Sequence, residues 1–418
     1  MPGQKSTFMK ERCIIFKKFV LLLFVTVPAC TAYGQTNPQY PEEKEAVIKE
    51  VEENLFSGIP AEKNPVKWTL RERMKHYHVN GVSIAVIKDF KIDWVRGYGW
   101  ADSAGQRPVT PATLFQAASI SKSLNAVGVL KLVQEGKLGL YSDINKYLKS
   151  WKFPYDSLSD GKEITVANLL SHTAGLTVHG FPGYEKDSVL PGLVQILNGE
   201  KPANTGAVRS VTAPSLGYHY SGGGTTISQL VAEDVSGQPY DLFMQKNVLK
   251  PLGMTASFFT QPPPADKQNL LATGYNRNGK EIKGKYHIYP AAAAAGLWTT
   301  PSDLARYIIE TQLSLEGKSR KVLSPEMTVL RLTPYKNPSA ALGVFIINKN
   351  GTKYFQHQGA NAGFASMYIG GFEDGTGAVV IINSSDASLL DEIINSIARV
   401  YQWKNFPVAA SKKEGIDL

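Results

Sequence analysis

The sequence predicts an α/β (α+β) fold: a five-stranded antiparallel sheet flanked by N- and C-terminal helices, with a mostly helical inserted domain. Three observations predict it. Apolar runs at 82–87 and 92–95 form a hairpin pattern early in the chain, and strand-like runs return only after residue 342. Between roughly 115 and 285 the periodicity is helical and the connections are long. An apolar-striped stretch at 389–401 closes the chain as a terminal helix.

Taken in order, residues 40–56 are charged, with Val47, Val51 and Leu55 at helical spacing; a surface helix and a stalk both fit. Residues 70–77 continue as a helix, and the two following strands join near Lys88 and Asp89. Thr110 to Thr113 read as a turn, after which Leu124, Val127, Leu130 and Val133 mark a helix running from Ser119 to about Gln134. Short amphipathic pieces follow at 143–148 and 165–170. Residues 179–214, rich in Gly, Pro and polar side chains, read as a loop-rich rim. Helices are expected at 226–235 and 240–249, then an exposed connection to Lys285. The alanine run 291–295 allows close backbone approach or simple packing between helices. Asp303 is placed to accept from the first-turn amides of a helix reaching about Leu313. Strands at 342–347, 354–357, 364–369 and 378–382 complete a sheet of about five strands built from both ends of the chain. The domains are then 65–114 with 286–405 (the sheet) and 115–285 (helical), between an extension at 35–64 and a tail at 406–418.

Composition narrows the function classes. Apolar content of 43% and charged content of 19% are those of a globular protein. The net charge of +9 is partly that of the first 34 residues, where Lys5, Lys10, Arg12, Lys17 and Lys18 outnumber Glu11. The remainder carries no basic run, so nucleic acid is not an expected partner. Residues 1–34 read as a signal peptide: basic residues, then an apolar run at 19–27 too short to span a bilayer. Two endings compete. Ala32-Tyr33-Gly34 is a small-x-small cleavage site, whereas Val27-Pro28-Ala29-Cys30 loosely matches a lipobox that would anchor a lipid on Cys30. Either way the chain is expected to be exported, to the periplasm, the medium or the cell envelope. The only two cysteines, Cys13 and Cys30, fall in this region, so the processed chain would have no disulfide and no thiolate metal site.

Three islands carry chemistry. Ser119 and Lys122 sit three residues apart at a helix start, where both side chains face one way and unpaired backbone N–H groups lie near. That is a nucleophile with an attached base, although a capping serine and a solvated lysine share the pattern. Tyr220-Ser221-Gly222, followed by two more glycines, places aromatic and hydroxyl groups at the mouth of a helix, and Tyr220 can act in proton transfer. No Gly-Lys-Ser/Thr follows, so a nucleotide loop is not expected. His357-Gln358-Gly359-Ala360 ends a strand, with Gly359 letting a substrate lie along the edge and His357 binding or polarising it.

These islands, in this order, resemble the serine beta-lactamase and penicillin-binding-protein superfamily, in its class C-like branch, for which Ser-x-x-Lys is a signature. LLSHTAGL at 169–176, PLGM at 251–254 and GLWTTPSDL at 296–304 add to the resemblance, which covers about 65–402. It implies a beta-lactamase/transpeptidase-like fold and an exported serine hydrolase acting by an acyl-enzyme. Its substrate would be an amide or ester: a D-amino-acid peptide, a beta-lactam or a carboxylester, including a peptidoglycan-derived fragment. It implies that Ser119 is acylated, Lys122 activates it and Tyr220 passes the proton to the leaving group. The substrate would be contacted by His357, Gly359, Ser221, Gly222 and Ala360, with Ser119 N–H and a second donor from 360–362 as the oxyanion hole. No metal or organic cofactor is called for. Two departures stand out. Gly222 replaces the branch's usual asparagine, and His357 replaces a lysine, which weakens recognition of a substrate carboxylate. The alternative is a non-catalytic envelope protein of the same fold that binds cell-wall peptide. His172 is expected to be a structural hydrogen-bonding residue beneath the site.

Overall fold

The early hairpin and the late strands do pair. The structure, a computed structural model, describes residues 37–56 and 66–406; the expected signal segment, Cys30 and nearly all of the tail lie outside the described residues. Strands β1 (Gly81–Lys88), β2 (Lys91–Asp102) and β3 (Arg107–Pro108) open the sheet. A separate two-stranded ladder pairs β4 (Phe115–Gln116) with β5 (Trp298–Thr299). Strands β6 (Phe345–Lys349), β7 (Thr352–Asn361), β8 (Phe364–Gly371) and β9 (Gly377–Ile382) complete the sheet, whose order is β3-β2-β1-β9-β8-β7-β6 with antiparallel neighbours throughout.

The sheet thus has seven strands, not about five. The difference lies at its edges: β3 is only two residues long and cannot show alternation in sequence. Strand β6 begins at Phe345 rather than at Leu342 because the chain first makes a turn there. Ala341 N–H donates to Val344 O, Leu342 N–H donates to Arg331 O, and Gly343 has φ +77°.

Both faces of the central strands are covered, which is why they read as continuous apolar runs. Alternate residues serve two cores. Ala85, Ile87, Tyr368, Val379 and Ile381 face the large core shared with the helical region. Ile84, Val86, Ile369, Val380 and Ile382 face a smaller one under the terminal helices. There the helix Glu42–Glu52 lies against Ser388–Val400, burying Ile48 and Val51 beside Ile393 and Ile397, so 40–56 is a packed surface helix and not a stalk. A buried Arg73–Glu392 pair joins the short helix Leu70–His76, started by a Thr69 capping box, to the same terminal helix.

Asp303 differs from expectation. Thr300 caps the helix Pro301–Leu315, accepting from Asp303 N–H, while the Asp303 carboxylate reaches sideways to accept from Ala256 N–H, Ser257 N–H and the Ser257 hydroxyl. It ties a neighbouring loop and does not cap its own helix.

Candidate active site

The nucleophile turn is fixed from three sides. Phe115 and Gln116 pair with Thr299 and Trp298, and Ala117 N–H donates to Leu297 O, 2.9 Å. Ala118 takes φ +48°, sparsely populated for a residue with a Cβ, and opens the 3₁₀ turn Ala118–Ile120 that carries Ser119. The α-helix proper runs Ser121–Gln134, two residues later than expected. Ser121 locks the turn, its hydroxyl donating to Ala118 O (2.6 Å) while accepting from Leu297 N–H (2.9 Å). Ser119 itself stays partly exposed.

Lys122 lies underneath, 3% exposed. Its Nζ donates to Ser119 Oγ (3.0 Å) and to Ala294 O (2.7 Å), within the alanine run of the short helix Ala292–Ala295. Desolvation disfavours the ammonium and brings its pKa down to about 7. Near neutrality a large share of the amine is therefore free to accept a proton. Tyr220 stands over the same lysine, with Nζ 5.0 Å from the ring centroid. Burial raises the phenol well above its ordinary range, against a hydrogen bond with Ser119 that pulls the other way. Burial thus favours the neutral form of both groups.

Strand β7 forms the opposite wall. Strand β6 pairs only as far as Gln356, so β7 has an open edge from His357 onward. The β7–β8 hairpin closes through a two-residue turn between Asn361 and Phe364. The flanking pair of such a turn is hydrogen-bonded and alternates along the ladder, so Ala360 N–H points away from β8, to the open edge. Gly359 touches the nucleophile turn: a Cβ there would lie 2.3 Å from Ala117 O and 3.0 Å from Ser119 N. Ser119 N–H and Ala360 N–H are thus the two donors the geometry offers to a carbonyl oxygen. His357 is 2% exposed; its Nδ1 bonds Gln358 O at 2.6 Å, leaving Nε2 buried without a partner. Burial, then the Lys122 charge, lower its pKa to about 3, so it is neutral in the working range.

Against known proteins, the family model described as Beta-lactamase matches residues 66–398. The chain belongs to the beta-lactamase family. Protein flp of Staphylococcus aureus (strain MRSA252) is 25% identical over 349 residues, 80% of this chain and 65% of that protein, so the chain spans less than two thirds of that relative's length. A Beta-lactamase of Pseudomonas fluorescens is 29% identical over 247 residues, 57% of this chain and 62% of that one. Among solved structures, the octameric penicillin-binding protein homologue from Pyrococcus abyssi matches with TM-score 0.67 at 25% identity, covering 81% of this chain and 78% of that one. The penicillin binding protein from Bacillus halodurans shares the fold at TM-score 0.63 and 21% identity, covering 79% and 98%.

Within this beta-lactamase fold, two residues expected at the substrate are placed otherwise. The Ser221 hydroxyl caps the helix Gly222–Ser236, accepting from Gly224 N–H (2.9 Å) and donating to Thr177 O (2.6 Å). Gly222 N–H donates to His179 O, and a Cβ added there would come 3.1 Å from the Phe181 ring. Ala294 and Phe345 were not expected, whereas His172 was expected beneath the site as a hydrogen-bonding residue and is found there. Ala294 supplies a carbonyl, which any residue carries, so its role leaves no mark in sequence. His172, at φ +58°, accepts from Ser221 N–H (3.2 Å) and lies against Tyr220 with ring centroids 4.2 Å apart. Phe345 closes the site over His357 at 5.3 Å.

Proposed function

We propose that this chain is a serine hydrolase cleaving a small carboxylic ester or amide through an acyl-enzyme on Ser119. The observation that carries the proposal is Lys122 Nζ, buried, at 3.0 Å from Ser119 Oγ with its pKa lowered to about 7. Ser119 Oγ bonds to the carbonyl carbon and its proton passes to the Lys122 amine. The oxyanion is received by Ser119 N–H and Ala360 N–H. As the C–O or C–N bond breaks, the Tyr220 hydroxyl gives its proton to the departing atom and is reprotonated by the Lys122 ammonium. Water then attacks the ester on Ser119, its proton following the reverse route.

A neutral His357 offers no fixed cation to a substrate carboxylate. That favours uncharged esters over beta-lactams and carboxylate-ended D-peptides, the other two classes the chemistry admits. Export by residues 1–34, with or without a lipid on Cys30, belongs to the same proposal and is checked by fractionation and palmitate labelling of wild type and C30A.

The test is covalent labelling and turnover. A fluorophosphonate probe should label Ser119, and S119A should lose p-nitrophenyl acetate hydrolysis while keeping its circular dichroism spectrum. Comparable hydrolysis by S119A would sink the assignment. No label from fluorophosphonate or fluorescent penicillin on folded protein would instead indicate a non-catalytic binder of cell-wall peptide.

A further inference from the structure

Tyr220 touches two imidazoles. His172, 5% exposed, meets its ring from within the fold. His179 is exposed and meets the same ring from the surface, with centroids 4.8 Å apart and the planes inclined at 43°. A histidine on a rim loop has no reason to keep such a contact unless its backbone is fixed, and here it is. Residues 177–179 run alongside the start of the helix Gly222–Ser236. The Ser221 hydroxyl donates to Thr177 O (2.6 Å), Gly223 N–H to Val178 O (2.9 Å) and Gly222 N–H to His179 O (3.0 Å). Two of these donors are first-turn amides that a helix leaves unpaired, so the loop carbonyls and the helix satisfy each other. Thr177 is held from its other side, its N–H donating to Arg209 O and its hydroxyl to Ala207 O.

Between these anchors Val178 takes φ +61°, a region that a β-branched residue enters only under constraint. Such strain persists where the surroundings over-determine it, and here it sets the direction in which the next side chain, His179, leaves the backbone. Gly222 permits the close approach, since a Cβ there would stand 3.0 Å from His179 O. The same bonds therefore fix Tyr220, which precedes the helix cap, and the ring that covers it. We propose that His179 is a positioning residue for Tyr220, keeping the phenol hydroxyl aimed at the leaving-group atom, so that substrates with poor leaving groups depend on it. This rests on the acyl-enzyme reading above, in which Tyr220 gives its proton to the departing atom. Without His179 the half-buried Tyr220 ring is bounded by His172 but uncovered toward solvent, and can swing away from Ser119. Burial, then the charges of Lys122 and His219, lower the pKa of His179, so the contact is ring against ring rather than a cation over the phenol.

The experiment holds the acyl group constant and varies the leaving group. p-Nitrophenyl, phenyl and ethyl acetate are compared in wild type, H179A, H179F, Y220F and the double variant H179A/Y220F, with H179Q replacing H179A if the alanine variant does not fold. Because kcat/KM covers the steps through loss of the leaving group, it reads the proton donor directly: nitrophenolate departs without a proton, ethoxide does not. The p-nitrophenyl-to-ethyl ratio of kcat/KM should rise by about 10–10²-fold in H179A, a displaced acid forfeiting part of the roughly 10²–10⁴-fold that a positioned one supplies. H179F restores a ring without the nitrogens and should return the ratio toward wild type. In the Y220F background, adding H179A should leave the p-nitrophenyl-to-phenyl ratio where Y220F alone put it, since the two residues act as one unit. An unchanged ratio in folded H179A, no recovery in H179F, or an undiminished H179A effect in the Y220F background overturns the proposal while leaving the acyl-enzyme intact. If Y220F ranks the three esters as wild type does, or S119A keeps its turnover, the acyl-enzyme reading fails and this proposal with it.

Discussion

Gly359→Ala adds a single methyl group and changes no charge. Gly359 does not have a positive φ, so alanine suffers no backbone strain there and the effect is purely one of space. The new Cβ would stand 2.3 Å from Ala117 O, 2.7 Å from Ser366 Oγ and 3.0 Å from Ser119 N, whereas ordinary contact begins at 3.4 Å. Ala117 O is backbone and already accepts from the Ser366 hydroxyl at 2.9 Å, so no flexible side chain can yield. Strand β7 must therefore retreat from the nucleophile turn by about 1 Å, widening the gap between Ser119 N–H and Ala360 N–H. A displacement of that size costs about 10²-fold, and loss of one oxyanion donor about 10²–10³-fold. We expect kcat/KM for p-nitrophenyl acetate to fall by about 10²–10³-fold, and fluorophosphonate labelling to slow in parallel. Overpacking should cost only about 1–3 kcal/mol of stability, readable from urea unfolding. A folded G359A enzyme within threefold of wild type would refute the contact between β7 and the nucleophile turn as the origin of the oxyanion hole.

Other outcomes follow from the same structure. The kcat/KM for a neutral ester should rise with pH through about 7, because the unprotonated Lys122 amine is the acceptor and burial brings its pKa there; a profile flat from pH 5 to 9 would remove Lys122 as the base. Lys122→Met should abolish turnover yet unfold at a higher temperature than wild type at pH 6. A lowered folded-state pKa means the cost of burying the charge is fully present below about 7 and is relieved as pH rises toward 10.5. That cost is at most about 5 kcal/mol, less the hydrogen bond lost at Ala294 O, so the advantage in melting temperature should shrink toward pH 10. Arg73→Met leaves Glu392 buried without the guanidinium that holds both its oxygens, at 2.5 and 2.7 Å. The expected loss is about 3–5 kcal/mol in urea unfolding, with a loss under about 1 kcal/mol counting against the pair.

Much of this was legible in the chain, and the residues show why some was not. Ser119 and Lys122 advertise themselves through spacing, because a helix start turns three residues of separation into one shared face. Tyr220 and Gly359 stood out beside glycines that needed a reason. The edges of the sheet were harder: two residues at β3 contain no period, and Gly343 bends the chain just where an apolar run suggested a strand. The carbonyl of Ala294 could not be found from residue type, since every residue has one. Asp303 sat at a position where acidic residues commonly cap, but Thr300 already filled that role, so the carboxylate was free to bind a loop distant in sequence. Phe181 lay in a stretch whose glycines and prolines marked it only as rim, and its ring lies where a side chain on Gly222 would crowd it.

The pairing of β1 with β9 also bears on when the chain becomes chemically competent. Val82 finds one neighbour across a tight hairpin at Tyr98 and the other at Ile382, near the end of the described chain. Ser119 and Lys122 are made long before β7, which carries the second oxyanion donor and lies against the nucleophile turn. A chain interrupted before Gly377 would hold β7 and β8 but lack β9, the strand that joins them to β1, and would leave β1 and β8 each with an unpaired flank open to self-association. On the acyl-enzyme reading proposed above, a chain without β9 is expected to be silent. A growing or clipped chain should neither acylate itself nor consume esters, and the appearance of fluorophosphonate reactivity reports that its last strand has docked.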